Sequence, residues 1–172
     1  MNRRGVIAAA LLPWMAGCAG LPARLPADIA GRLSVRVEAA GDAPSRSFSA
    51  DFDLRGDAQR GVLRLSGPLG ATLAEVQWQP GTATLVDAQG SRHFATLDAL
   101  AQDLLGESLP MAALIDWLRG RPWAGAPSRT LEGGFEQLGW RVGLAEFAAG
   151  LLMATRQGAP AVSVRARLER PT

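Results

Sequence analysis

The chain has 172 residues, of which 48% are apolar and 20% are charged. This composition is typical of one globular domain with a sizeable core, and it excludes a disordered chain. All 18 basic residues are arginine, and Arg3 and Arg4 account for the formal net charge of +2. The rest of the chain is balanced in charge, so it lacks the net basic stripe that nucleic-acid binding requires.

Several classes of site are excluded by residues that the chain lacks. Without lysine it cannot build a phosphate-binding P-loop, a Schiff base or a Ser-Lys dyad. It has one histidine, His93, and one cysteine, Cys18, so neither a His/Cys metal cluster nor an intramolecular disulfide can form. A metal site built from carboxylates alone stays possible but no motif supports it, so we expect no metal and no cofactor.

The N-terminus reads as a secretory signal, with a cationic start followed by an apolar stretch from Val6 to Met15. This stretch has about half the length that spans a bilayer. The sequence Met-Ala-Gly-Cys at 15–18 resembles a bacterial lipoprotein signal, which implies removal of residues 1–17 and acylation of Cys18. The alternative is an ordinary signal peptide cut near Ala16. In enterobacterial lipoproteins, aspartate after the acylated cysteine retains the protein in the inner membrane. Ala19 follows Cys18 here, so the resemblance implies lipid anchoring at the periplasmic face of the outer membrane.

Residues 18–30 are predicted to be a proline-containing tether, and residues 31–172 the folded domain. Short stretches of alternating apolar and polar residues, bounded by Gly, Asp or Pro, predict antiparallel strands. They lie around Leu33 to Val37, Phe48 to Leu54, Leu63 to Leu65, Thr72 to Trp78, Thr82 to Ala88, Thr130 to Leu131, Phe135 to Leu144 and Val162 to Leu168.

The middle of the chain changes to helical spacing. Leu97, Leu100, Ala101, Leu104 and Leu105 predict one helix, which Thr96 would cap and Gly106 would end. Met111 to Leu118 predicts a second helix, with Pro110 at its first position, Gly120 at its C-terminal cap and Pro122 beyond.

Residues 144–154 fit either a strand or a helix, and we assign them to a strand. The predicted fold is α+β, with about eight to eleven strands and a two-helix insertion after the first five or six. Such a sheet has to curl to cover its apolar face. Its inner side is then either packed solid or left as a cavity.

Several motifs resemble the LolB family of outer-membrane lipoprotein receptors. Ser66 to Thr72 is similar to the family's Pro-Leu-Gly turn, and Gln79-Pro80-Gly81 is similar to the hairpin that follows. Leu109-Pro110 with Trp117-Leu118, Gly120 and Pro122 resembles the family's helix ending. Gly31-Arg32-Leu33 and Gly139 to Val142 also fit, so the resemblance extends over most of the chain. The last strand departs from it, since Glu169 to Thr172 lacks an aromatic residue and Phe147 stands where tyrosine is common.

The resemblance implies an unclosed antiparallel β-barrel covered by helices, with an apolar cavity for lipoprotein acyl chains. It also implies a periplasmic carrier of the LolA type as donor, client lipoproteins as cargo and a monomeric receptor. The turn of Pro68, Leu69 and Gly70 would deliver the cargo into the membrane. From sequence alone, Leu69 could instead fold back into the core.

We expect the acyl cavity to be lined by apolar residues of the early strands and the second helix: Leu33, Val35, Phe52, Trp78, Leu114, Trp117 and Leu118. Ordinary core packing is an equally good interpretation of each of them. Trp117 lies three residues after Leu114 on one helical face, so it could be a packing anchor.

Two other functions compete with lipoprotein reception. One is a non-transporting outer-membrane lipoprotein that holds protein partners through sheet edges or an apolar patch. The other is a serine esterase, for which Ser66, Ser91 and Ser108 are present and His93 would be the base. The Gly-x-Ser-x-Gly elbow is absent from the sequence, so we predict no catalytic residue.

Overall fold

The fold was analysed in a computed structural model, which describes residues 29–169. The predicted signal peptide, Cys18 and residues 19–28 of the predicted tether lie outside these residues. The strands are β1 (Ile29–Val37), β2 (Arg46–Gly56), β3 (Gly61–Ser66), β4 (Thr72–Gln79), β5 (Thr82–Asp87), β6 (Gly90–Phe94), β7 (Ser128–Leu131), β8 (Gly134–Gln137), β9 (Trp140–Gly143), β10 (Leu151–Arg156) and β11 (Val162–Leu168). The helices are α1 (Leu97–Leu105) and α2 (Met111–Trp117), and a 3₁₀ turn covers Phe147–Ala149.

The eleven strands form one antiparallel sheet in the order β6-β5-β4-β3-β2-β1-β11-β10-β9-β8-β7. Except for β6 and β7, strands that follow each other along the chain pair as hairpins, and within residues 29–169 a long-range pairing joins β1 to β11, with Val35 opposite Val164. β6 and β7 remain as the two edges, so the sheet is not closed. This architecture confirms the predicted unclosed barrel with helices inserted after β6.

Alternation along the strands gives the sheet one apolar and one polar face. Leu33, Phe52 and Leu54 point to the buried inner face, and the charged residues between them, such as Arg32 and Asp51, point outward. Opposite charges on neighbouring strands meet on the outer face, as in the Arg32 and Asp51 pair at 2.8 Å. The inner face packs against both helices in one continuous core.

The two helices begin and end largely where local signals predict. Thr96 caps α1, since its side chain accepts a hydrogen bond from the Ala99 N–H at 3.0 Å, and Gly106 ends the helix in the left-handed conformation. For α2 the prediction was off at both ends. Pro110 is the N-cap and not the first helical residue, and the helix is capped by Leu118, before Gly120.

Two segments differ from their sequence prediction. The stretch from Phe135 to Leu144 is two strands, β8 and β9, because Leu138 and Gly139 both adopt positive φ and form a tight turn. Residues 144–154 combine both alternatives. The 3₁₀ turn ends at Gly150, whose φ is +82°, and β10 then begins at Leu151. Within residues 29–169, neither helix has the length and apolar character that crossing a membrane would take.

Candidate functional site

The β3–β4 turn projects a leucine into solvent. Pro68 and Leu69 occupy the tip, Gly70 follows with a φ of +76°, and its N–H donates to the Gly67 carbonyl at 2.9 Å. Gly67 in turn donates to the Ala71 carbonyl at 2.9 Å, which closes the base of the turn. The backbone therefore holds the tip firmly, and the Leu69 side chain is 98% exposed. Leu69 therefore does not fold back into the core, which was the alternative that the sequence left open.

The seven residues predicted to line an acyl cavity are brought together in the structure. Leu33, Val35, Phe52 and Trp78 come from the inner face of the sheet, and Leu114, Trp117 and Leu118 come from α2 and its C-terminal cap. All seven are buried in the same apolar cluster. In this conformation they contact protein atoms, so the cavity role stays a prediction.

Trp78 depends on a glycine opposite it. Gly61 is its cross-strand partner, and a Cβ built on Gly61 would clash with the Trp78 ring and with the Arg55 carbonyl. The indole N–H donates to the Asp57 carbonyl at 2.9 Å, so the ring is fixed at the end of the sheet where β2 meets β3. A glycine at position 61 is therefore required for the tryptophan to lie flat against the strand.

Surface grooves of the described residues include one on the outer face of the sheet and one beside α2. The larger, of about 520 Å³, lies on the outer face between β1, β10 and β11, and its polar lining includes Arg165 and Arg167. The second, of about 390 Å³, lies between the start of α2 and the β8–β9 turn. Its lining includes Pro110, Trp123 and Leu138. None of the seven predicted cavity residues lines either groove.

Gln137 is a buried polar residue that the sequence analysis missed. Its amide oxygen accepts hydrogen bonds from the Trp117 indole N–H and the Trp123 backbone N–H, both at 2.9 Å. Its amide nitrogen donates to the carbonyls of Trp123 and Ala126, both at 2.7 Å. One side chain thus joins α2, the segment before β7 and the sheet. The sequence could have indicated it, because Gln137 is a polar residue at an inward-facing position of β8, where strand alternation usually places an apolar residue.

A chain of ion pairs attaches α1 to the sheet edge. Asp87 at the end of β5 pairs with Arg92 of β6 at 3.0 Å, and the other terminal nitrogen of Arg92 pairs with Asp103 of α1 at 2.9 Å. The Gln89 backbone N–H also donates to Asp87 at 2.8 Å. This N–H, followed by the Arg92 guanidinium, lowers the pKa of the Asp87 carboxyl from its ordinary value.

The lowered pKa of Asp87 predicts a loss of stability in acid. A carboxyl whose pKa is lower in the folded than in the unfolded chain stabilises the fold above the unfolded pKa, and this contribution is lost as pH falls below it. We therefore expect Asp87→Asn to lower the urea midpoint at neutral pH and to differ much less from the parent near pH 3. Asp42→Asn, in the exposed β1–β2 loop, is the matched control. A pH-independent difference for Asp87→Asn would contradict the expectation.

The residues of the esterase alternative, His93 and three serines, lie outside the apolar core. His93 is on the exposed face of β6, where its Nδ1 lies 3.0 Å from the Thr84 hydroxyl on β5. Ser91 is on the same strand, whereas Ser66 ends β3 and Ser108 lies in the α1–α2 connection. No group of His, Cys, Asp and Glu side chains suited to a metal ion occurs among residues 29–169.

Comparison with known proteins places the chain in a family. The family model described as outer membrane lipoprotein LolB matches residues 27–161. The outer-membrane lipoprotein LolB of Bordetella petrii is 37% identical over 172 aligned positions, which cover 89% of this chain and 85% of the relative. The same-named proteins of Bordetella pertussis and Chromobacterium violaceum are 37% and 33% identical, cover 81% of this chain each, and are themselves covered over 76% and 81%. The chain therefore belongs to the LolB family of outer-membrane lipoproteins.

Proposed function

We propose that this protein is a lipid-anchored receptor at the periplasmic face of the outer membrane. It accepts lipoproteins from a periplasmic carrier of the LolA type, shelters their acyl chains and inserts them into the bilayer. Membership of the LolB family supports the receptor role. The observation that carries the delivery step is Leu69, a leucine that is 98% exposed on a turn held by its own backbone hydrogen bonds.

The physical need for a receptor follows from the cargo. Exposing acyl chains to water costs about 0.8 kcal/mol per CH₂, so two or three chains of a lipoprotein cost tens of kcal/mol. A lipoprotein therefore cannot cross the aqueous periplasm unless a protein shields its acyl chains from water. Because the chain lacks the lysine of a P-loop, we propose that transfer runs downhill, from carrier to receptor to membrane, by differences in affinity alone.

Acyl binding between the sheet and α2 requires a change from the conformation described above. Phe52, Trp78 and Trp117 are all buried in one apolar core, and a packed interior has no room for an added chain. We propose that the helices move away from the inner face when cargo arrives. Such a movement would break the ion pair between Arg92 and Asp103 and the hydrogen bond from the Trp117 indole N–H to Gln137.

A brominated fatty acid tests the acyl site, because bromine quenches tryptophan fluorescence only on contact. With protein that carries serine in place of Cys18, we expect saturable quenching with one-to-one stoichiometry. Trp78→Phe and Trp117→Phe should each remove part of the quenching, since both rings are buried in the interior. Trp123→Phe, at the half-buried surface groove, is the matched control. Quenching that does not saturate would contradict an acyl site and favour a protein-binding scaffold.

We further propose that the protein acts without catalysis. A serine esterase would need His93 next to a serine nucleophile, and the hydrogen-bond partner of its Nδ1 is the Thr84 hydroxyl. The scaffold alternative retains the sheet edges β6 and β7 as binding elements. In that alternative, Leu69 at the tip of the β3–β4 turn would contact a protein partner and not the bilayer.

A further inference from the structure

Four of the turns at one end of the sheet carry no charged side chain. Because the strands alternate in direction, the connections at 38–45, 67–71, 88–89, 138–139 and 157–161 all lie at one end. The last four of these contain no Asp, Glu or Arg, whereas the connection at 38–45 carries Glu38 and Asp42. We call these four turns the uncharged end. Connections at the opposite end carry charged residues in the described chain: Asp57, Arg60, Glu132 and Glu146.

The uncharged end contains a second exposed leucine besides Leu69. Leu138 lies at the tip of the β8–β9 turn and is 46% exposed. One side of it borders the groove with Pro110 and Trp123, and the rest faces outward. The two leucines lie on separate walls of the curved sheet, since β2, β1, β11 and β10 stand between their hairpins.

The backbone conformation at Leu138 disfavours leucine, so a leucine here lowers the stability of the fold. Its φ is +53°, and no other described residue except glycine has a positive φ. Gly139 follows with a φ of +76°, so the pair has the dihedral signs of a type I′ turn, in which Asn-Gly is the favoured sequence. A leucine at this position is strained and exposes apolar surface, and a non-glycine residue in such a conformation points to a function.

We propose that Leu138 is a second membrane contact, which enters the interfacial region of a phospholipid bilayer together with Leu69. This inference rests on the proposed function, because it requires the receptor to touch the membrane at the uncharged end. Charged groups are expensive to bring into a bilayer, and the four turns present none. Because Leu69 and Leu138 lie on separate walls of the curved sheet, two apolar contacts would hold the uncharged end against the bilayer in one orientation.

Single-cysteine labelling tests the contact in the full acylated protein. Cys18 is the only cysteine and is consumed by acylation in this proposal, so a cysteine introduced by Leu138→Cys can be labelled alone. We expect an environment-sensitive fluorophore at position 138 to be quenched by lipid-borne quenchers in phosphatidylethanolamine and phosphatidylglycerol vesicles. Leu69→Cys is the positive control. Met153→Cys is the negative control, because this residue is 40% exposed but lies on the outer face of β10.

The pattern of quenching separates the inference from the proposed function. Quenching at position 69 without quenching at 138 overturns the second contact and leaves the receptor role intact. Absence of quenching at both positions contradicts the membrane step of the proposed function as well. Quenching at 69 and 138, with none at 153, supports both.

A second variant removes the contact without removing the fold. Leu138→Asn places a residue that tolerates positive φ before Gly139, so the thermal midpoint should not fall. Delivery of bound lipoprotein to the same vesicles should nevertheless slow by about fivefold, because the apolar side chain is lost. Unchanged delivery by this variant would overturn the proposal.

Discussion

Leu69→Glu is expected to impair delivery into the membrane strongly while leaving folding and acyl binding largely intact. The side chain is 98% exposed and supports no packing, so its replacement should change the free energy of unfolding by less than about 0.5 kcal/mol. Membrane contact is different, because glutamate forfeits the burial of a leucine and adds the cost of bringing a carboxylate towards hydrocarbon. Together these terms are on the order of a few kcal/mol, which corresponds to a loss of about a hundredfold in delivery.

The measurement is transfer of a lipoprotein from the loaded receptor to phospholipid vesicles, with acyl-probe saturation recorded on the same protein. Met153→Glu is the matched control, since it places the same charge on an exposed apolar position of the outer face. Leu69→Ile should retain most of the delivery rate, because it preserves the apolar surface. Full delivery by Leu69→Glu would show that the turn has no part in insertion.

Gln137→Leu is expected to produce the largest loss of stability among the changes considered. Gln137 is 2% exposed and makes four hydrogen bonds with good geometry. Leucine is of similar size but leaves the Trp117 indole N–H and three backbone groups without partners. The unsatisfied indole N–H is buried and costs about 1–3 kcal/mol, and the three partly buried backbone groups add smaller costs, so a total loss of about 3 kcal/mol follows.

Urea unfolding followed by circular dichroism measures this loss. Gln102→Leu, at an exposed position of α1, is the matched control and should change the free energy of unfolding by less than about 0.5 kcal/mol. Gln137→Glu should also destabilise the protein, because a carboxylate cannot donate to the carbonyls of Trp123 and Ala126. A wild-type midpoint for Gln137→Leu would mean that the three joined segments hold together through apolar packing alone.

Local patterns in the sequence were sufficient for most of the fold. Alternation in segments such as Leu33 to Val37 predicts strands because successive side chains point to opposite faces. Thr96 and Gly106 limit α1 because each satisfies backbone groups that the helix itself cannot. The β8–β9 turn escaped prediction because leucine, which does not favour positive φ, occupies the position that normally signals such a turn.

The sequence by itself determined the strands, the two helices, the tight turn of Pro68, Leu69 and Gly70, and the absence of lysine chemistry. These follow from periodicity, capping and composition, which act over a few residues. Only the tertiary structure decided that Leu69 faces solvent, that β1 pairs with β11, and that Gln137 joins three distant segments. These depend on which surfaces meet when the sheet curls, and residues far apart in the chain settle that together.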